Sequence, residues 1–263
     1  MSPPTVVDAY TGDTEAAFNL PQEIVVPTTT ALPNRPNTRV VHIAAECGSL
    51  TAELTLPRDP LGIVVFARTN AAHRQTRYDQ QLATALHGAR FGTLLFDLLT
   101  AGEEIIDDMT CGLRADVALL SRRLIEAIDW LEDHHGAAGR NIGVLGEGPG
   151  GAAAFVAACV RPTRVSAIVS YAERLDRAQP VLARVQAPSL IIVSGNEEDN
   201  VRSNDMAFRR LKCPKELVRV GIGRFTTTGI VDSEITRLAF DWFTRSMTSA
   251  RAGDLQLARR APS

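Results

Sequence analysis

Short uninterrupted runs of apolar residues alternate with segments of helical periodicity from residue 62 to residue 247. Apolar runs without polar alternation are typical of strands buried on both faces, and such strands form parallel sheets covered by helices. The predicted strands are 63–66, 93–96, 141–145, 165–169, 190–193 and 216–220, and the predicted helices are 78–89, 114–133, 150–160, 177–185, 201–211 and 232–247. The pattern therefore predicts an α/β protein.

Two earlier apolar runs have a different character. Arg39–Ile43 and Leu50–Leu56 are separated by Gly48 and Ser49, and the second run alternates apolar with polar residues. This pattern predicts an antiparallel β-hairpin. A hairpin followed by alternating strands and helices is the order of the α/β-hydrolase fold. We therefore expect a mostly parallel central sheet with helices on both faces and an N-terminal antiparallel β-hairpin.

The chain divides into three segments. Residues 1–37 are rich in proline and show no sustained periodicity, which predicts an extended or flexible N-terminal arm. Residues 38–248 are predicted to form the α/β-hydrolase-like domain, because 263 residues with 45% hydrophobic content suffice for one large core. Residues 249–263 are rich in arginine and alanine and are predicted to be a flexible C-terminal tail.

Charge and cysteine usage exclude several classes of protein. The formal net charge of −2 gives no global field that would attract nucleic acid or an anionic membrane. No apolar run reaches the ~18 residues of a membrane span, and the N-terminus lacks the layout of a signal peptide, so we expect a cytoplasmic protein. The 4 cysteines lie far apart in the sequence, which indicates neither a disulfide framework nor a zinc site. No metal or cofactor is predicted.

The segment between the strand at 141–145 and the helix at 150–160 is the most informative one. It reads Gly146-Glu147-Gly148-Pro149-Gly150-Gly151, at the point where an α/β-hydrolase carries its G-x-S-x-G nucleophile elbow. The position of the attacking hydroxyl is Gly148, which has no side-chain atom to attack with. The sequence therefore predicts that the chain is not a Ser-His-Asp hydrolase.

Four motifs are similar to those of a known family. They are Gly92–Thr100 followed by Glu103-Glu104, the residues Arg114 and Asp116 with Trp130 downstream, the strand Ala187–Val193, and Asp241-Trp242-Phe243. From about residue 56 to residue 246 the chain resembles the dienelactone-hydrolase-like branch of the α/β-hydrolases, of the type found fused to or encoded beside phosphoribosyltransferase domains.

The resemblance implies a catalytic triad whose positions are altered here. The family would place a serine or cysteine on the elbow, an aspartate after the next strand but one, and a histidine in the last strand-to-helix loop. The corresponding residues of this chain are Gly148, Glu197 and Arg224. Where relatives read H-G-S-G at the oxyanion strand, this chain has Ala67-Arg68-Thr69-Asn70. The triad is therefore expected to be degenerate.

The altered loops are expected to meet at one crevice, because open α/β sheets bind ligands at the carboxyl ends of their strands. Arg68, Arg224 and the N-terminus of the helix after Gly148 would together suit a carboxylate or a phosphate. The candidate ligand-binding residues are Arg68, Thr69, Asn70, Gly148, Pro149, Glu173 and Arg224.

The leading functional hypothesis is a pseudo-hydrolase that binds a small, anionic molecule or a protein partner, a second copy of the chain included. The alternative is an enzyme that uses the old hydrolase pocket for cyclisation, isomerisation, lyase or decarboxylation chemistry with Arg68, Arg224 or Glu173. A large closed apolar pocket would favour a small ligand, and an exposed apolar patch would favour a partner.

Two minor hypotheses come from single motifs. Gly146, Gly148 and Gly151 formally satisfy the G-x-G-x-x-G fingerprint of dinucleotide binding, with Glu173 past the next strand. Cys111 is placed just before the helix at 114–133, where a helix N-terminus would lower a thiol pKa, and His73 is the candidate base for it.

Overall fold

A mostly parallel sheet is the centre of the structure. The computed structural model describes residues 37–46, 48–69, 77–134, 136–171, 175–194, 198–220 and 228–258, and these contain the eight strands of the sheet. The strands are β1 (Asn37–Ala45), β2 (Gly48–Leu56), β3 (Gly62–Arg68), β4 (Phe91–Asp97), β5 (Ile142–Glu147), β6 (Val165–Tyr171), β7 (Ser189–Ser194) and β8 (Lys215–Val220).

The strand order identifies the fold. Along the sheet the order is β1-β2-β4-β3-β5-β6-β7-β8, where β2 pairs antiparallel with both β1 and β4 and the other neighbours are parallel. The predicted α/β-hydrolase fold with its N-terminal antiparallel hairpin is confirmed. The predicted N-terminal arm lies outside the described residues except for Asn37, which begins β1.

Helices cover both faces of the sheet. They are α1 (Arg77–Gly88), α2 (Ala101–Thr110), α3 (Val117–Asp133), α4 (Pro149–Val160), α5 (Gln179–Leu182), α6 (Glu198–Arg210) and α7 (Thr228–Ala258), with a 3₁₀ turn at Leu175–Ala178. Helix α7 continues past residue 248, where the sequence placed the end of the domain. The flexibility of the C-terminal segment stays a prediction.

Helix α2 was not predicted, because its burial pattern is reversed. Its buried residue is Asp107, whereas Ile105, Ile106 and Met109 are exposed. A rule that looks for one amphipathic helix between successive strands finds α3 and misses α2. Its start is nevertheless well specified, since Thr100 and Glu103 form a reciprocal capping box.

Several of the motif residues that carry the family resemblance build this connection. The Asp107 carboxylate accepts hydrogen bonds from the backbone N–H groups of Leu113 (2.7 Å) and Arg114 (3.0 Å) and is also paired with the Arg114 guanidinium. Burial by itself raises the pKa of Asp107, but the donors of Arg114 and Leu113 outweigh it and lower that pKa. Asp116 caps α3 by accepting from the backbone N–H of Ala118 at 2.9 Å. These residues fix the loop between α2 and α3.

Two apolar layers enclose the sheet. One contains the alanine-rich helix α4 together with buried residues of α3, and the other contains Tyr78 and Leu82 of α1 with Trp242 and Phe243 of α7. Because both faces are covered, a ligand can reach the parallel strands only at their ends.

Candidate functional site

The turn between β5 and α4 retains the shape of a nucleophile elbow. Gly148 has φ 55° and ψ −138°, a conformation that costs strain for any residue with a side chain, and it is the N-cap residue of α4. Pro149 occupies the first position of the helix, where its fixed φ is favourable. A Cβ atom built on Gly148 meets no other atom within 4 Å, so a side chain at this position would point into open space.

The glycines on either side of Gly148 are required by close backbone packing. A Cβ on Gly146 would lie 2.4 Å from the carbonyl oxygen of Gly150, and a Cβ on Gly150 would lie 2.2 Å from the carbonyl oxygen of Ala67. Gly146 and Gly150 are the two outer glycines of G-x-S-x-G. The steric demands of the elbow therefore account for these glycines without a bound nucleotide.

The elbow lacks one of the usual donors for an oxyanion. In α/β-hydrolases one donor is the backbone N–H of the residue after the nucleophile, and here that residue is Pro149, which has no N–H. The N–H of Gly148 donates to the carbonyl of Tyr171 at 3.0 Å, and that of Gly151 donates to the carbonyl of Gly148 at 2.9 Å. The N-terminus of α4 therefore offers an anion fewer N–H groups than a helix start without proline would.

The charge of Arg68 is already balanced within the protein. Arg68, at the end of β3, forms a buried ion pair with Asp79 of α1. An anion that used this guanidinium would have to compete with a buried carboxylate. The predicted role of Arg68 in anion binding therefore stays a prediction, and it would require the guanidinium to be shared with Asp79.

Beside Arg68 lies a cavity of about 200 Å³. It is open to solvent and lies at the edge of the sheet formed by β1, β2 and β4, rather than above Gly148. Its lining residues are Val40, Thr51, Ala52, Glu53, Arg68, Leu95, Phe96 and Asp97.

Tyr171 lies beside the elbow and Tyr78 lies near Tyr171, and neither was predicted from the sequence. Tyr171 is the last residue of β6 and its carbonyl accepts the hydrogen bond from Gly148, while the rings of Tyr78 and Tyr171 are 6.4 Å apart. Tyr78 is buried and Tyr171 is half-buried. The sequence feature that could have indicated Tyr171 is its position at the carboxyl end of the strand that follows the elbow.

The other predicted site residues have different outcomes. Thr69 directly follows β3 and is half-buried. Cys111 is exposed and is the C-cap residue of α2, whereas the N-cap residue of α3 is Asp116. The prediction that a helix N-terminus activates Cys111 is wrong. The residues Asn70, His73, Glu173, Glu197 and Arg224 lie outside the described residues.

Two further features are absent from the described ranges. There, no group of three or more His, Cys, Asp or Glu side chains is placed to hold a metal ion. Among the same residues, every helix is too short or too polar to cross a bilayer.

Known proteins share both the sequence and the fold of this chain. A dienelactone hydrolase from Anabaena variabilis is 35% identical and superimposes with a TM-score of 0.74, over 80% of this chain and 98% of that one. A dienelactone-hydrolase-like phosphotriesterase from metagenomic libraries is 18% identical with a TM-score of 0.63, over 80% of this chain and 98% of that one, which shows the fold alone. No protein-family model matches the chain.

Two longer proteins of Mycobacterium tuberculosis, from strains CDC 1551 and H37Rv, are also similar. Each carries the name of a phosphoribosyl transferase and is 35% identical over 205 residues, which are 77% of this chain. The chain spans only 45% of the length of these relatives.

Proposed function

Because the chain belongs to the dienelactone-hydrolase family of α/β-hydrolases, we propose that it is a non-hydrolytic member which binds a ligand at the elbow without cleaving it. The observation that carries the proposal is the Gly148-Pro149 pair in an otherwise retained elbow. The turn keeps its strained backbone and its close-packed glycines, while the atoms that perform the chemistry are missing.

The size of the missing catalytic contributions supports this proposal. Loss of the nucleophile costs on the order of 10⁶ in kcat in a serine protease, and loss of one oxyanion donor costs roughly 10²–10³. Both losses follow from Gly148 and Pro149 alone, whatever the other loops of the site contribute. Hydrolysis through this turn would therefore be no faster than the background reaction.

The described residues favour an uncharged ligand over an anion. The helix after the elbow begins with a proline, Arg68 is paired with Asp79, and the half-buried Tyr171 ends the strand that pairs with β5 at the turn. An uncharged molecule with an apolar ring fits such surroundings better than a phosphate or a carboxylate. We propose a neutral small molecule, such as a lactone or an ester, as the ligand class.

Phosphoribosyl transfer is not proposed for this chain. The M. tuberculosis relatives bear that name, but more than half of their length lies outside the matched region. The Anabaena dienelactone hydrolase is covered almost completely by this chain. We assign any transferase activity of the relatives to the part that this chain does not cover.

The test of the proposal is an assay of hydrolysis with a direct probe for an active serine. The purified chain is expected to show no turnover of p-nitrophenyl acetate or of a dienelactone above the buffer rate, and no serine labelled by a fluorophosphonate. Gly148→Ser supplies a hydroxyl in open space but no oxyanion donor, so this variant is expected to stay inactive as well. The Anabaena dienelactone hydrolase is the positive control.

Two results would contradict the proposal. Stoichiometric labelling of a serine in the wild-type chain would show an active nucleophile that the elbow does not supply. Ligand binding is measured separately as a change in Tm. A neutral lactone is expected to raise the Tm, and inorganic phosphate is expected to leave it unchanged. A phosphate-induced rise that disappears in Arg68→Ala would restore the anion site.

A further inference from the structure

One face of helix α2 exposes large apolar side chains. The exposed fractions are 68% for Ile105, 52% for Ile106 and 78% for Met109, although buried positions are the usual place for these residue types. The inward side of the same helix is acidic, since Asp107 is fully buried and Glu103 contacts Arg123. Amphipathic helices normally bury the apolar side, so the reversed orientation indicates a surface that another molecule covers.

The exposed face has a defined shape. Ala101, Gly102, Ile105, Ile106 and Met109 are all exposed and follow helical spacing, so they form one stripe along α2. The N-terminal end of the stripe carries only small residues, and a Cβ on Gly102 would meet no atom within 4 Å. The C-terminal end carries a large side chain, since Met109 projects into solvent.

We propose that this stripe pairs with the same stripe of a second copy of the chain, with the two α2 helices antiparallel about a two-fold axis. The axis would pass between Ile105 and Ile106, so that Ile105 faces Ile106 of the second copy and Met109 lies over Gly102 of the second copy. In a two-fold interface, residue i of the first copy contacts residue j of the second, and residue j of the first contacts residue i of the second. The stripe meets this requirement because its two ends are complementary in size and both are apolar. The large Met109 side chain of one copy fits over the small Gly102 of the other.

The charges of α2 permit this pairing. Glu103 is paired with Arg123 at 3.0 Å, and Asp107 and Asp108 are both paired with Arg114, the latter at 3.1 Å. Two arginines therefore offset part of the acidic charge of each α2, which reduces the repulsion between the two helices. The pairing is independent of the proposed function, since α2 contains no residue of the elbow.

The small size of the stripe sets the expected strength. A standard interface buries about 800 Å² on each partner, and three large apolar side chains supply only part of that area. We expect a weak dimer with a dissociation constant on the order of micromolar rather than an obligate one. The dimer would form at high protein concentration and dissociate on dilution.

Sedimentation velocity of the full chain over a concentration series tests the pairing. The wild type is expected to shift from monomer to dimer, and Met109→Lys and Gly102→Asp are each expected to weaken the dimer about tenfold or more, because each buries an unpaired charge. The combined Gly102→Asp, Met109→Lys variant places opposite charges together twice in each dimer and is expected to recover most of the association. Met206→Lys, at a 43% exposed methionine on α6, is the matched control and is expected to behave as the wild type.

The outcomes are decisive because the substituted residues are exposed and far-UV circular dichroism with the Tm can verify the fold of each variant. A wild type that stays monomeric at every concentration overturns the proposal, whether or not the stripe binds another protein. Failure of the combined variant to recover overturns the antiparallel register. An equal effect of Met206→Lys would assign the association to α6 and would also overturn the proposal.

Discussion

Replacing Gly150 with alanine is expected to destabilise the protein by roughly 3 kcal/mol or more, at the upper end for overpacking a core. The new Cβ would lie 2.2 Å from the carbonyl oxygen of Ala67, which belongs to the central strand β3 and cannot rotate away. Gly146→Ala is expected to have a similar effect, because its Cβ would lie 2.4 Å from the carbonyl oxygen of Gly150. Urea unfolding followed by circular dichroism measures the loss.

Two other glycines provide the controls for this experiment. Gly148→Ala places its Cβ in open space but at φ 55°, so we expect a loss of about 1–3 kcal/mol from backbone strain alone. Gly88→Ala meets no atom within 4 Å at the end of α1 and is expected to be neutral or stabilising by about 0.4–1 kcal/mol. If Gly150→Ala were no more costly than Gly148→Ala, the close packing of the elbow against β3 would be wrong.

The fold could be predicted because its signals are local and repeated. Each buried strand is a continuous apolar run and each covering helix has its own periodicity, so errors at single positions do not change the architecture. The prediction failed at α2, where the side chain buried against the protein is an aspartate. Its burial depends on Arg114 and on the N–H groups of a later loop, and such a tertiary partnership leaves no periodic trace in the sequence.

The candidate site could be predicted only in part. The position of the elbow followed from its glycines, and the structure gives Gly148 the expected strained backbone. The partner of Arg68 could not be foreseen, since Asp79 lies on a different element and any of several carboxylates was available to it. Tyr171 was missed because a tyrosine at a strand end has no motif of its own. The charge balance of a site depends on such contacts more than on the motif that locates it.

Replacing Arg123 with alanine is expected to destabilise the protein by about 3 kcal/mol, the lower end of the cost of breaking a buried ion pair. Arg123 of α3 is almost fully buried and contacts Glu103 of α2 at 3.0 Å and Glu126 at 3.6 Å. Its removal would take this positive partner from both carboxylates, and we take the lower end because water still reaches both of them. The neighbouring Arg122 is exposed and lies 3.8 Å from Glu46, so Arg122→Ala is the matched control, with an expected loss of about 0–1 kcal/mol.

The loss in Arg123→Ala is also expected to depend on pH. Burial alone raises the pKa of Glu103, but the hydrogen bonds with Thr100 and the charge of Arg123 outweigh it, so the pKa is lowered in the folded protein. A lowered carboxyl pKa contributes stability that is complete above the pKa of the unfolded chain and is lost as the pH falls through the folded value. The difference between wild type and Arg123→Ala should therefore be largest near neutral pH and should shrink in acid, as measured by urea unfolding at several pH values. A difference that stays constant down to acid pH would show that Arg123 stabilises the protein through the packing of its aliphatic stem, and Glu103 would then have no part in joining α2 to α3.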